Sequence, residues 1–364
     1  PQTICLNMIV KDEAQCICRC LESVKPIISS WVIVDTGSTD GTQELIRNYM
    51  KDIPGTLYER PWVDFAYNRN EALKLAAGKC DYLLFMDADD ILEILSNFVM
   101  PELNKDSYYF ERLTEDIRIF KKLLVINQPI WQWQGAIHEF LIGPEDESFD
   151  IFPGIVNIRN VEKKGSRTQD PSTPLKDAKL LESALEKEPN NPHLQFHLAQ
   201  SYLAAEELEL AIEHYEKHVH LQGGDDDRIY WSLFQIGLCQ QRLAKPTGTI
   251  IASFWRAASF RPQRVEALYC LVELYRKIGN SRAAYEAALR GINTPEPGDM
   301  SFVIPWMYEY GLLHSFALAA AEIGEYEHAY DAVNELLAHR KFSPFIKTAI
   351  ERLSNDLKNQ LERS

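Results

Sequence analysis

Along the first half of the chain, short all-apolar runs alternate with stretches whose apolar residues recur every three or four positions. That pattern predicts strands alternating with helices. Thr3 to Val10 reads as the first strand and Glu13 to Val24 as the helix after it. Trp31 to Asp35 is the second strand, followed by a turn and a helix from about Thr42 to Tyr49. A short strand around Thr56 to Arg60, a helix from about Ala66 to Ala76 and a strand from Tyr82 to Met86 continue the alternation. The order calls for a parallel or mixed sheet covered by helices. Beyond Ser107 come short alternations with aromatics, through Ile117 to Phe120, Trp131 to Trp133 and Ile155 to Ile158. These predict antiparallel strands completing a mixed sheet.

A second pattern begins after the polar stretch from Glu162 to Ser172, where helix formers take over. Leu198 to Tyr202, then Ala211 and Tyr215, have the spacing of tetratricopeptide helix pairs: a small residue where helices cross and an aromatic beside it. The arrangement recurs as Leu271 to Tyr275 with Ala284 and Ala288, and more weakly from Phe316-Ala317 to Ala329 and Val333. Ile236-Gly237, Trp255 and Pro262 lie between the first two copies, about one period of 34 residues from either side. Three to four repeats follow, the last two less regular, with a non-repetitive helical bundle as the alternative. Either forms a helical scaffold whose surface suits a partner or a homodimer contact.

At 364 residues the chain has room for two cores. A net charge of −15 speaks against a nucleic-acid-binding protein, which needs a surplus of Lys and Arg. No apolar run approaches bilayer length, and Pro1 to Ile4 lacks the features of a signal peptide, so a cytoplasmic location with no membrane span is expected. The seven cysteines are odd in number and lack paired CxxC spacing, which predicts reduced thiols. Cys16, Cys18 and Cys20 share a helix on which the middle one points away from the other two, as packing residues rather than ligands do.

The candidate chemistry starts at Asp81 to Asp90, an apolar strand that ends in Asp87-Ala88-Asp89-Asp90. Asp-x-Asp at the carboxyl end of a buried strand sets two carboxylates on one face, at the sheet edge where ligands bind in open α/β folds. Oxygen ligands of this kind suit Mg²⁺ or Mn²⁺ and, through the metal, a nucleoside diphosphate. Acidic strand ends also serve as helix N-caps, so this stretch alone leaves both readings standing. The second strand delivers Asp35 into Thr36-Gly37-Ser38-Thr39-Asp40-Gly41-Thr42. Asp35 is placed to accept hydrogen bonds from a base or sugar, the glycines permit a tight turn, and Asp40 is a candidate helix cap. The run is neither a P-loop nor GxGxxG.

Together, Val32 to Thr42, Asn68-Arg69-Asn70-Glu71-Ala72-Leu73 and Leu84 to Asp90 resemble, in order and spacing, family 2 glycosyltransferases of the GT-A fold. Met8 to Ala14 is similar to the first strand of a subgroup that includes lipopolysaccharide-core glucosyltransferases and bacteriocin S-glycosyltransferases, several of which carry tetratricopeptide repeats after the catalytic domain. The resemblance implies that Val10 and Lys11 lie beside the donor's uracil or ribose, and that Asp35 binds the base. It implies that Arg69 approaches the base or diphosphate, and that Asp87 faces the ribose or the metal's water shell. Asp89 is then the direct metal ligand, with Asp90 beside it.

An inverting transferase also needs a carboxylate on the acceptor side as general base. Thr114-Glu115-Asp116 imitates a base motif of many family 2 synthases, but the alternation after it suggests a strand start on the sheet's far side. Trp131-Gln132-Trp133-Gln134-Gly135-Ala136-Ile137-His138-Glu139 resembles the subgroup's Trp-x-Gly-x-x-His-Glu region. By that resemblance Glu139 is the base, and His138 orients it or reaches the metal; a structural His-Glu pair is the alternative. Trp131 and Trp133 read as core.

Where many GT-A enzymes have a late histidine ligand, this chain reads Asn157-Ile158-Arg159-Asn160. Lys163, Lys164 and Arg167 follow on a Gly-containing segment that reads either as a charged lid or as a solvated linker. The resulting expectation is an α/β GT-A domain over residues 1–172, a Rossmann-like mixed sheet with helices on both faces, and an all-α tetratricopeptide-like domain over 173–364. The implied reaction is Mn²⁺- or Mg²⁺-dependent, inverting transfer of a hexose from a UDP-sugar. A protein or peptide acceptor is favoured over an envelope or lipopolysaccharide-type glycan, because helical repeats hold polypeptide. The reading from another class, a non-catalytic scaffold with a degenerate transferase half, is opposed by the intact acidic cluster.

Overall fold

A computed structural model describes residues 2–114, 116–135, 137–159, 165, 170–339, 342 and 344–362. Lys163, Lys164 and Arg167, read above as a lid or linker, lie outside the described residues. The chain divides into two compact units, Pro1–Leu181 and Glu182–Ser364. The divide falls within one helix, Thr173–Lys187, after the polar stretch where the change in sequence pattern begins.

The first unit is built on an eight-stranded sheet. In chain order its elements are β1 (Ile4–Val10), α1 (Ile17–Val24), β2 (Ser30–Asp35), α2 (Thr42–Tyr49), β3 (Gly55–Glu59), α3 (Phe65–Ala76) and β4 (Tyr82–Phe85). There follow β5 (Asp90–Ile94), β6 (Ser107–Thr114), β7 (Ile117–Ile126), β8 (Gln132–Gln134), β9 (Phe140–Ile142) and β10 (Phe149–Arg159). The main sheet runs β3-β2-β1-β4-β7-β6-β10-β5. Its first four strands are parallel, β7 is antiparallel to β4 and β6, β10 is parallel to β6, and β5 is antiparallel to β10. β1, β2 and β4 are buried on both faces, which is why they read as unbroken apolar runs.

One face of the sheet packs against Ile17, Cys20, Leu21 and Val24 of α1 and Ile46 of α2. The other packs against Ala76 of α3 together with Trp131 and Trp133. All seven cysteines are free thiols, and Cys16 and Cys20 are packed in the core. At the sheet edge, a Cβ on Gly55 would lie 2.2 Å from the Trp31 ring, so only glycine lets β3 pass there.

Two expectations need correction. The Trp131 to Trp133 run does not extend the main sheet: β8 pairs with β9 in a separate two-stranded ribbon. The run after Asp89 does not cap a helix but forms β5, which places Asp90 opposite Arg159 in the register with β10.

The chain passes from β1 out to β2 and β3, then returns to add β4 on the other side of β1. This reversal opens a crevice at the carboxyl ends of β1 and β4, the place where open α/β sheets bind ligands. Val10, Asp35 and Asp87 all stand at that edge.

In the second unit, α5 (Pro192–Ala204), α6 (Leu208–His220), α7 (Asp226–Arg242), α8 (Thr247–Phe260), α9 (Glu266–Lys277) and α10 (Ser281–Leu289) form consecutive pairs after α4 (Thr173–Lys187). A π-helical turn, Met307–Gly311, leads into α11 (Leu312–Glu322), α12 (Tyr326–His339) and α13 (Pro344–Leu361). The small positions read from the repeat are the crossing points. Ala211, Ala284, Ala288 and Ala329 have no exposed surface. A Cβ on Gly237 of α7 would come within 2.6 Å of the Phe254 ring on α8. Among the described residues no helix is long and apolar enough to cross a membrane.

Candidate active site

Asp35 ends β2 with its side chain turned back into the following loop. Its Oδ1 accepts from the backbone N–H groups of Gly37 and Ser38, both at 3.0 Å, and from Gln43 Nε2 at 2.8 Å. Gly37 and Gly41 sit at φ 107° and 92°, which a residue with a Cβ adopts only under strain. Asp40 accepts from Thr42 and from the Ala14 N–H, tying the loop to the start of α2 and to the segment after β1. The other Asp35 oxygen, Oδ2, is buried and has no partner among the described residues. A buried carboxylate oxygen without a donor is costly, and a ligand N–H would satisfy it.

Beside this loop lies a cavity of about 280 Å³ lined by Ile9, Val10, Lys11, Glu13, Thr36, Trp62 and Phe65. Val10 and Lys11 both line this cavity, and two aromatics join them. Trp62 is 41% exposed with its ring edge-on to Phe65 at 4.8 Å, leaving a flat apolar face open at the cavity.

The acidic corner lies at the end of β4. Asp87, Asp89 and Asp90 bring one carboxylate oxygen each to within 4.8 Å of one another. Arg69, on the first turns of α3, donates to Asp87 Oδ1 and to Glu139 Oε1, both at 2.7 Å, and its guanidinium lies 4.9 Å from the Trp133 ring. Lys121 of β7 reaches Asp87 Oδ2 at 2.9 Å. Arg112 of β6 holds Asp90 Oδ1 at 2.8 Å, and Arg159 touches Asp87, Asp89 and Asp90 at 3.5, 3.6 and 3.3 Å. Burial works to raise the Asp87 carboxyl, but Lys121, Arg69 and Arg159 outweigh it and hold the group well below the usual range. For Asp90 burial prevails over Arg112 and the carboxyl is raised.

Residues 5–95 match the model of glycosyl transferase family 2. The N-terminal unit carries a family 2 glycosyltransferase domain. The chain is 26% identical over 313 residues to a TPR repeat-containing protein of Synechococcus elongatus, covering 79% of this chain and 75% of that one. It is also 26% identical over 237 residues to the SPbeta prophage-derived glycosyltransferase SunS of Bacillus subtilis, covering 60% of this chain and 53% of that protein. The crystal structure of a MamA protein overlays on 46% of this chain and 87% of its own length at 19% identity and a TM-score of 0.34, too loose a fit to argue from.

The matched region contains Val10, Lys11, Asp35, Arg69 and the acidic cluster; the residues expected on the acceptor side lie beyond it. There Gly135, at φ 94°, makes a turn in which a Cβ would sit 3.3 Å from the Ile137 carbonyl oxygen. The turn delivers Glu139 to Arg69. His138, in the left-handed region at φ 50°, is not one of the three residues whose oxygens converge there. Asp90 is fully buried and its Oδ1 is taken by arginines, leaving Oδ2, which is buried and without a partner. The far-side position expected for Asp116 also fails. It sits in the turn joining β6 to β7, and Leu113 pairs with Ile158, so this turn is at the same edge as Arg159.

Sequence reasoning missed Arg112, Lys121, Trp62 and Phe65 as parts of the site. A signal existed for the aromatics in the unusual cluster Pro61-Trp62-Val63-Asp64-Phe65 ahead of Arg69. Arg112 and Lys121 carry no local mark, because only the β4-β7-β6 pairing brings them to the aspartates.

The three carboxylates suit a hard divalent cation such as Mn²⁺ or Mg²⁺: the donor set is oxygen only, and Asp90 contributes an orphaned buried oxygen. Among the described residues the Asp89 carboxylate has one ion pair, its 3.6 Å approach to Arg159, which leaves oxygen lone pairs for such an ion.

Proposed function

We propose that this chain transfers a hexose from a UDP-sugar to an acceptor with inversion of configuration, and that the acceptor is a protein or peptide. The observation that carries the reading is the bridge Asp87–Arg69–Glu139, which sets a carboxylate of the acceptor side directly against the acidic corner. The unpaired Asp35 Oδ2 receives an N–H of the donor's base, and Trp62 and Phe65 with Val10 and Lys11 line the cavity beside it. Asp89, with Asp87 and the free oxygen of Asp90, holds the divalent cation. When bound, that ion supplies positive charge for the departing diphosphate.

The acceptor hydroxyl or thiol attacks the anomeric carbon while the bond from that carbon to the diphosphate oxygen breaks. Glu139 takes the acceptor's proton on Oε2, since Oε1 is engaged by Arg69. Arg69 fixes the orientation of that carboxylate, and its stacking on Trp133 keeps the guanidinium in place. The helical repeats favour a polypeptide acceptor, an analogy with what such surfaces hold rather than a contact.

The test compares UDP-glucose hydrolysis with and without Mn²⁺ in the native chain and in Asp89→Ala. Metal-stimulated turnover that the substitution abolishes is expected; metal-independent turnover, or no loss in the variant, overturns the metal assignment. Supplying UDP-[¹⁴C]glucose with a peptide pool or with a lipopolysaccharide core then separates the acceptor classes by which one becomes labelled. A chain that hydrolyses and transfers nothing is a scaffold.

A further inference from the structure

Among the described residues, the carboxylates of the acidic corner are paired with four cations. Asp87, Asp89, Asp90 and Glu139 are matched by Arg69, Arg112, Lys121 and Arg159. The four cations are not held alike. Arg112 and Arg69 are side chains less than a tenth exposed, each with a contact of 2.8 Å or shorter. Lys121 is bound to Asp87 alone, at 2.9 Å. Arg159 touches all three aspartates, at 3.3 to 3.6 Å, and its side chain is 36% exposed. These are long contacts for charge-assisted hydrogen bonds, whose usual span is about 2.7–2.9 Å. Arg159 thus sits where all three carboxylates converge, touches none of them closer than 3.3 Å, and keeps part of its side chain exposed.

A divalent cation entering this corner meets three carboxylates already paired with cations and an arginine in its place. A nucleoside diphosphate changes both terms, because its phosphate oxygens offer a guanidinium a better bidentate partner and restore the missing negative charge. Resting on the donor-site reading above, we propose that Arg159 is an exchangeable stand-in cation: it bridges Asp87, Asp89 and Asp90 in the nucleotide-free protein, then yields to the divalent ion and pairs with the phosphates when the nucleotide binds. Metal and nucleotide then bind synergistically, with Arg159 setting the coupling between them. The position is the one at which the sequence reads Arg159 instead of a late histidine ligand. A neutral ligand there would favour the metal at all times, whereas a cation there opposes it until the nucleotide arrives.

The test measures Mn²⁺ binding to the full chain from the electron paramagnetic resonance signal of free Mn²⁺, with and without UDP, in the native protein, Arg159→Gln and Arg159→Lys. Thermal melts run in parallel verify that each variant is folded. In the native protein UDP tightens Mn²⁺ by about tenfold or more, within the usual range of coupling between two sites. Arg159→Gln binds Mn²⁺ tighter than native without UDP, and UDP adds less than about threefold, a coupling below that usual range. Arg159→Lys, which keeps the charge but loses the fork, falls between them. A general charge effect raises Mn²⁺ affinity equally with and without UDP, so unchanged coupling in Arg159→Gln overturns the exchange while leaving the donor site standing. Failure of the native protein to bind Mn²⁺ and UDP overturns the donor reading and the exchange together.

Discussion

Arg69 Nε donates to Glu139 Oε1 at 2.7 Å, joining two residues 70 positions apart across the floor of the site. In the proposed reaction this pair sets where the acceptor's proton goes. Glu139→Gln keeps the hydrogen bond to Arg69 but cannot take a proton, so transfer is expected to fall by about 100-fold or more, the usual scale for loss of a general base. UDP affinity stays within about twofold, because no bond to the donor is lost. Asp116→Asn serves as the comparison, since the β6–β7 turn lies at the same edge. If Asp116→Asn abolishes transfer and Glu139→Gln does not, the base is reassigned.

Asp35 offers a substitution that separates loop integrity from ligand recognition. Asparagine keeps the Oδ1 acceptor for Gly37, Ser38 and Gln43 but replaces the unpaired Oδ2 with an amide donor. Two donors then face each other where the base sits. Asp35→Asn is expected to weaken UDP by about ten- to hundredfold, roughly 1.4–2.8 kcal/mol, with an unchanged melting temperature. Isothermal titration with UDP reads the effect, and native-like affinity would remove Asp35 from the base site.

In the helical unit, Arg264 and Glu266 are both fully buried, paired at 2.9 Å. Glu266 also accepts from the hydroxyls of Tyr230 and Tyr308 and from the Ile304 N–H. Arg264 in turn reaches Asp299 and the Phe302 carbonyl. Glu266→Ala removes one of the two carboxylates of a buried guanidinium and the acceptor of two tyrosine hydroxyls, and is expected to cost about 3–5 kcal/mol, read by urea denaturation. By contrast Glu213→Ala, which breaks an exposed pair with Lys217 on α6, is expected to cost under about 1 kcal/mol. Equal losses would mean that the buried network does not anchor this unit.

The helical unit should also weaken in mild acid. Burial pulls the His218 imidazole down to about 4, and its Nδ1 lies 2.9 Å from Ser232 Oγ. In the unfolded chain a histidine titrates near 6.5. Between those values the unfolded state carries the extra proton, so stability is fully present above about pH 6.5 and declines as pH falls toward 4. The loss from this one group reaches at most roughly 3 kcal/mol. Denaturation curves at pH 7.5 and 5.0 should show a smaller difference in His218→Gln than in the native chain. An identical difference would assign the acid sensitivity to other groups, such as His214 and His314, whose burial also lowers them.

Much of the first unit was legible because its central strands are buried on both faces and its helices have one apolar side. Those patterns depend only on local spacing. α2 spans Thr42–Tyr49, as its periodicity predicts, and β1, β2, α3 and β4 lie within a residue or two of expectation. β5 was not legible. Asp90-Ile91-Leu92-Glu93-Ile94 starts with a carboxylate and is strand only because β10 pairs with it. The same pairing buries Asp90 and sets Arg159 against it, so a residue read as an available ligand is half engaged.

By itself the sequence determined the alternating α/β unit, the run of helix pairs after it, the turn that holds Asp35 and the acidic end of β4. Each of these depends on neighbours within a few residues, where backbone sterics and hydrophobic spacing act. Only the tertiary structure decided the charge state of the corner. Arg69, Arg112, Lys121 and Arg159 come from α3, β6, β7 and β10, and what brings them to three aspartates is strand order and register. Charges interact through space, not along the chain, so no local pattern marks which cation will meet which carboxylate.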